Sequence, residues 1–213
     1  METIDLGLIP LNMHTGNVGI SISGGADSSL LLYLLMKYSD PDTKIHAISC
    51  ADPRMFNINP RHAFNVLERC MELTGNRNVL FYTYFVQVKN SKTWVTGIDH
   101  YIDNNIVDVV YTGLTSNPPT QMTDIPWLIN PPPETAAARN PKDIRPLYSR
   151  NDKIYTPFTN LHKRQIAEMY KEHNLMESLF PLTHSCEHPK FLHGECGECW
   201  WCLEREWGFN THD

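Results

Sequence analysis

Ser23-Gly24-Gly25-Ala26-Asp27-Ser28-Ser29 decides how the rest of the chain is read. Residues 17–23 lead into it with Val18, Ile20 and Ile22 in alternation, which reads as a short buried strand. The residues after it predict a helix over about 27–38, with Leu30, Leu31, Leu34 and Leu35 on one stripe and Ser39-Asp40-Pro41-Asp42 ending it. Two glycines between a strand and a helix let the backbone approach an anion closely. The free amides and the helix dipole then favour negative charge. Ser23, Ser28 and Ser29 add hydroxyl donors for phosphate oxygens. Asp27 fits beside a phosphate as a magnesium ligand or as a residue that fixes the loop. A plain tight turn with a serine cap would need only Ser-Gly-Gly. Neither the Walker pattern nor the dinucleotide Gly-x-Gly-x-x-Gly pattern is present.

Working outward, residues 44–50 predict a second strand. Asn59-Pro60 opens a helix with Asn as cap and Pro in the first turn. Phe64, Leu67 and Met71 form its apolar stripe and Gly75 closes it. Residues 78–88 are aromatic and β-branched, a third strand. A weaker helix over 91–105 places Trp94, Ile98, Tyr101 and Ile102 on one face, and 106–112 is a fourth strand. Residues 154–158 predict a fifth strand, and Thr159-Asn160 caps a helix to about His173. Residues 181–213 read as a loop-like tail. The alternation predicts an α/β fold: an open parallel sheet of about five strands with helices on both faces. Between Pro118 and Pro146 there are eight prolines in 29 residues, a stretch read equally as a lid over an active site or as a surface loop.

The 213 residues are 41% apolar, 10% aromatic and 20% charged, with a net charge of -6. That composition builds one cored domain with additions and excludes the disordered, highly charged class. The longest apolar run, 30–36, has seven residues, whereas a membrane-spanning helix needs about 20. The acidic start Met1-Glu2-Thr3-Ile4-Asp5 lacks a basic-then-apolar leader pattern, so a cytoplasmic setting is expected. Eighteen basic against 24 acidic residues give no excess positive charge of the kind a nucleic-acid surface carries.

Four of the six cysteines fall in the last 28 residues, with the spacing Cys186-x9-Cys196-x2-Cys199-x2-Cys202. In a reducing compartment clustered cysteines read as metal ligands. Four thiolates suit tetrahedral zinc in a structural site with no open position. The rival is an iron–sulfur cluster, but the ferredoxin run continues with x3-Cys-Pro, and Glu206-Trp207 stand there instead. His188 and His193 lie in the same loop as alternatives to Cys186.

The glycine-turn string resembles the SGGxDS signature of PP-loop ATP pyrophosphatases, which cleave ATP between the α- and β-phosphates. The resemblance implies that residues 23–29 hold ATP, with Asp27 and Ser28 in catalytic positions. The tail narrows it. Ser185-Cys186 and Cys196-Gly197-Glu198-Cys199-Trp200-Trp201-Cys202 through Arg205, Gly208 and Phe209 resemble the ending of the 7-cyano-7-deazaguanine synthase family. Leu161-His162-Lys163-Arg164-Gln165-Ile166 is similar to that family's LTKxEI segment, and Arg61-His62 to the end of its YGQRH motif. The chain departs from the family at Ile58-Asn59-Pro60. It departs again where a YPDCR-type segment belongs and Gln121-Met122-Thr123-Asp124 stands instead.

This resemblance implies a ligase that uses ATP, magnesium and a structural zinc to turn 7-carboxy-7-deazaguanine and ammonia into 7-cyano-7-deazaguanine. Arg61, His62 and Asp124 would be its substrate residues. Residues 1–180 would form the ATP pyrophosphatase domain, with 118–146 its lid or loop, and 181–213 the zinc tail. The partners expected are a small carboxylated deazapurine and ammonia, without a membrane and without nucleic acid as direct substrate; a homodimer is left open. The alternatives are amidation or thiolation of another substrate by the same ATP chemistry, or a zinc-stabilised nucleotide-binding module without catalysis.

Overall fold

Val18, Gly19 and Ile20 are buried on both faces of one strand, the pattern of a central strand in a parallel sheet. The computed structural model describes residues 2–51, 59–85, 93–123, 125, 139, 147–149, 152–186, 188 and 194–210, with backbone only for 93–96 and 147–149. In chain order the elements are β1 Glu2–Asp5, β2 Pro10–Met13, β3 Asn17–Ser21, α1 Ala26–Tyr38, β4 Lys44–Ala51, α2 Asn59–Thr74, β5 Val79–Phe85 and α3 Thr93–Asp103. There follow β6 Val109–Thr112, β7 Leu147–Ser149, β8 Ile154–Thr156, α4 Lys163–Glu172 and α5 Trp200–Phe209.

Six strands form one sheet in the order β5-β4-β3-β6-β8-β7. The first five are parallel, as the alternation predicts, and β7 adds an antiparallel edge against β8. The sheet grows from β3 through β4 to β5 on one side, then crosses to place β6 on the other. The order therefore reverses between β3 and β6, and ligands in open α/β sheets bind beyond the carboxyl ends of strands at such a point.

Helices cover both faces. Ala47 and Tyr111 belong to the core shared with α1, α2 and α4, whereas their neighbours Ile48 and Val110 face Ile98, Tyr101 and Ile102 of α3. Helix α1 is buried nearly all round from Ala26 to Met36, the signature of a helix with packing partners on every side. Among the described residues no helix is long and apolar enough to cross a membrane.

The structure differs from the sequence reading in four places. Residues 2–13 form an unpredicted antiparallel hairpin, held to the sheet where Tyr155 Oη accepts from Asn12 N–H and Tyr111 Oη donates to Asn12 O. The inward face of α2 is set by Ala63, Val66, Leu67 and Cys70. Phe64 is 44% exposed and meets the edge of Phe81. Helix α4 begins later than Thr159-Asn160 implies: His162 is its N-cap, and Gln165 Oε1 accepts from His162 N–H at 3.1 Å. The tail is not loop-like throughout, because α5 packs on α4 and seats Phe209 against Phe180 and Tyr170.

Candidate active site and metal centre

Strands β3, β4 and β6 end at a cavity of about 320 Å³, within the range of small-molecule sites. The loop after β3 forms one wall. Gly25 caps α1 without a side-chain acceptor, which leaves first-turn amides for an anion. Gly24 sits at φ +84°, and a Cβ there would lie 2.6 Å from His62 Cβ. Only glycine lets the loop pass under α2 in this conformation. Ser23, Gly25, Ala26, Asp27 and Ser28 line the cavity. Gly24 and Ser29 are the supporting members: Ser29 is fully buried and its hydroxyl donates to Gly25 O at 2.7 Å. Ser28 Oγ lies 3.2 Å from Ser23 Oγ, so these two hydroxyls brace each other at the cavity wall.

Asp27 is joined to residues the loop reading does not contain. Its Oδ2 accepts from Lys163 Nζ at 2.6 Å and from Thr115 Oγ1 at 3.3 Å. Its Oδ1 is buried with no hydrogen-bond partner among the described residues. Lys163 Nζ also lies 3.6 Å from Glu204 Oε2. Glu204 is fully buried, and Arg139 binds it with both terminal nitrogens. Arg139 further donates to Thr115 O, Thr115 Oγ1 and Ser116 O. Burial alone would raise the Glu204 carboxyl, but Arg139 and Lys163 outweigh it and the net shift is downward. Two carboxylates and two cations thus alternate in a line from the loop into the protein, drawn from α1, α4, α5 and the proline-rich stretch.

The sequence reading places none of Lys163, Glu204 or Arg139 in the site. Lys163 is quoted only within a family-like segment. Glu204 has no local mark beyond lying two residues from a cysteine. Arg139 does have one: it is the only basic residue between Pro118 and Pro141.

Of the three expected substrate residues, His62 stacks on His184 with ring centroids 4.2 Å apart and planes 7° from parallel. His184 lines the cavity, and its N–H donates to Gly24 O at 2.9 Å. Arg61 is exposed on α2 and does not line the cavity. Asp124 lies outside the described residues.

Cys186, Cys196, Cys199 and Cys202 bring their sulfurs within 4.8 Å of one another. Cys202 Sγ is 3.8 Å from Cys196 Sγ and 3.4 Å from Cys199 Sγ. Four thiolates at about 2.3 Å from one tetrahedral zinc would stand about 3.8 Å apart, so the set fits a single ion. An iron–sulfur cluster puts several irons and bridging sulfides between its thiolates and spreads them wider. His188 is not in the set, and His193 lies outside the described residues. Burial pushes the Cys186 thiol up to about 11, so metal binding there would displace protons. Glu195 stands beside the set. Its Oε2 accepts from Cys202 Sγ at 2.8 Å, and its Oε1 accepts from Ser185 N–H at 3.1 Å. Cys186 and Ser185 also line the cavity, so the metal loop forms part of its wall.

Residues 144–213 match the family model described as Queuosine biosynthesis protein QueC. The C-terminal third of the chain is QueC-like. The QueC-like segment carries Lys163, Glu204 and all four clustered cysteines, and it faces the glycine turn across the cavity. Among solved structures, the U34-tRNA thiolase NcsA from Methanococcus maripaludis, with its [4Fe-4S] cluster, superposes with a TM-score of 0.51 at 12% identity. The match covers 93% of this chain and 65% of that one. At that identity it shows the fold alone, an open parallel α/β sheet. NMN synthetase from Francisella tularensis gives a TM-score of 0.43 at 16% identity, over 78% of this chain and 64% of that one. The chain thus spans just under two thirds of the length of either structure. No curated protein matches the sequence.

Proposed function

We propose that the chain is an ATP-dependent carbon–nitrogen ligase that converts 7-carboxy-7-deazaguanine and ammonia to 7-cyano-7-deazaguanine. The observation that carries this reading is the cavity in which the glycine turn, Asp27 and Lys163 meet the QueC-like wall of His184, Ser185 and Cys186. The first-turn amides of α1 and the Lys163 ammonium take the β- and γ-phosphates, so Lys163 supplies from α4 the cation that a Walker lysine supplies within its own loop. The buried Oδ1 of Asp27 suits a magnesium ion, which would neutralise the departing pyrophosphate.

The acceptor carboxylate attacks the α-phosphorus, forming an acyl-adenylate and releasing pyrophosphate. Ammonia displaces AMP, loses a proton and leaves the amide. The amide oxygen attacks the α-phosphorus of a second ATP and expels a second pyrophosphate, and loss of AMP with two protons leaves the nitrile. Each adenylate hydrolyses if wetted, so walls that exclude water matter as much as the contacts. His184, stacked on His62, forms part of one such wall.

In this reading residues 1–180 form the catalytic domain, with 118–146 contributing Arg139 to its base. Residues 181–213 are a tail organised by zinc in a cytoplasmic protein. Ammonia comes from solution or from a partner. Mass spectrometry of products from a panel of carboxylated deazapurines with ATP and ammonium tests the substrate. The reading requires a nitrile product from the 7-carboxy compound. Turnover of a different carboxylate or of a transfer RNA, with none of the 7-carboxy compound, would replace this acceptor.

A further inference from the structure

Asp27 and Lys163 hold each other at the place where the proposed nucleotide puts its phosphates. This contact has consequences for what the cavity accepts. With Nζ 2.6 Å from Oδ2, the lysine charge is already answered. The second oxygen of Asp27 is buried and has no partner among the described residues. A phosphate entering alone therefore meets a carboxylate at the first turn of α1, where the helix dipole would otherwise welcome an anion. A divalent cation meets the opposite situation: a buried carboxylate oxygen without a donor among the described residues.

Lys163 has a second place to go. Glu204 Oε2 is 3.6 Å from its Nζ, and Glu204 is fixed by Arg139 in a fully buried position. Arg139 is itself fastened to Thr115 and Ser116 by three further donated bonds. A lysine released by Asp27 would therefore stay beside Glu204 at the cavity wall and not swing into solvent.

We propose that the Asp27–Lys163 ion pair is an electrostatic latch that makes the site's hold on polyphosphate depend on a divalent cation. When the cation takes Asp27, Lys163 leans on Glu204 and turns its ammonium to the phosphates. Metal-free polyphosphate is refused because the pair stays closed. The latch rests on the nucleotide reading above and adds its regulation, admission of nucleotide only as the metal complex.

Calorimetric titration of the full chain with inorganic pyrophosphate, in EDTA and in Mg²⁺, tests it on wild type, Asp27→Asn and the double variant Asp27→Asn/Lys163→Met. Circular dichroism and melting temperature serve as folding controls, and Asp27→Ser replaces Asp27→Asn if the latter does not fold. Wild type should bind pyrophosphate in Mg²⁺ and hardly at all in EDTA. Asp27→Asn should bind metal-free pyrophosphate about tenfold or more tighter than wild type does, because the Asp27 charge no longer holds the ammonium or repels the anion, and Mg²⁺ should add little. The double variant should lose that gain. Binding by wild type in Mg²⁺ with no metal-free gain in Asp27→Asn overturns the latch alone, as does a gain that survives loss of Lys163. No binding by wild type in either condition overturns the nucleotide reading and the latch with it.

Discussion

Gly208 lies so close to Lys163 that a Cβ built on the glycine would stand 2.6 Å from Cβ of the lysine. The approach lets α5 press on the first turn of α4 and bring Glu204, four residues before Gly208, to the Lys163 ammonium. Gly208→Ala should destabilise the fold by about 1–3 kcal/mol, as overpacking does. It should also raise the KM for ATP more than it lowers kcat, because the displaced group is the one assigned to the phosphates. Denaturant unfolding read beside steady-state kinetics checks both; an alanine variant with wild-type stability and KM would remove Gly208 from the account.

The Arg139–Glu204 pair is buried on both sides, with side-chain exposures of 4% and 0%. Removing one member leaves the other charge without an answer, which costs about 3–5 kcal/mol, whereas replacing both costs less. Arg139→Met should therefore destabilise by about that amount, and Arg139→Met/Glu204→Gln should recover part of the loss. A double-mutant cycle by urea unfolding measures this coupling, and additive losses would argue against it.

Stability should fall with falling pH below neutrality. Burial, the largest cause in each case, lowers the imidazoles of His14, His46, His162 and His173 below their ordinary 6.5. The unfolded chain therefore binds more protons than the folded one in that window. Their contribution is present above pH 6.5 and is lost as pH drops through the lower folded values. His46 is the clearest case: it stacks on Tyr82 at an angle of 3° and sits 3.2 Å from Asn17 Oδ1. Urea midpoints at pH 7.5 and 5.5 should differ less in His46→Gln than in wild type. Equal differences would show that His46 contributes nothing to the slope.

One zinc ion per chain is expected on Cys186, Cys196, Cys199 and Cys202. Cys199→Ser should lose the metal and loosen the tail, since a structural zinc contributes folding energy directly. Elemental analysis with limited proteolysis around 181–213 reads this. A brown protein with charge-transfer absorption, or full zinc content in the serine variant, would overturn the assignment.

The fold was legible where order is local. The glycine turn announces itself because strand, loop and helix N-terminus are contiguous, and the cysteine set because short spacings bring ligands together by themselves. Helix α5 was not legible: four aromatics, a β-turn spacing of cysteines and Gly208 lower its intrinsic propensity, and packing of Phe209 against Phe180 holds it. The hairpin at 2–13 has four-residue strands too short for a period to register. The charged line behind the loop was hidden for another reason. Asp27 and Lys163 are 136 residues apart, and Arg139 and Glu204 are 65 apart. No local pattern records a contact that only the packing of α4 and α5 creates.

The proposed function joins ATP chemistry at the glycine turn to a carboxylated deazapurine acceptor. Product analysis of the wild-type chain with ATP, Mg²⁺, ammonium and 7-carboxy-7-deazaguanine tests it most directly. The expected products are AMP and pyrophosphate, released faster with the acceptor than without it, and Asp27→Ala should lose that release with the fold intact. ADP and phosphate as the products, or pyrophosphate release indifferent to the acceptor, would contradict it.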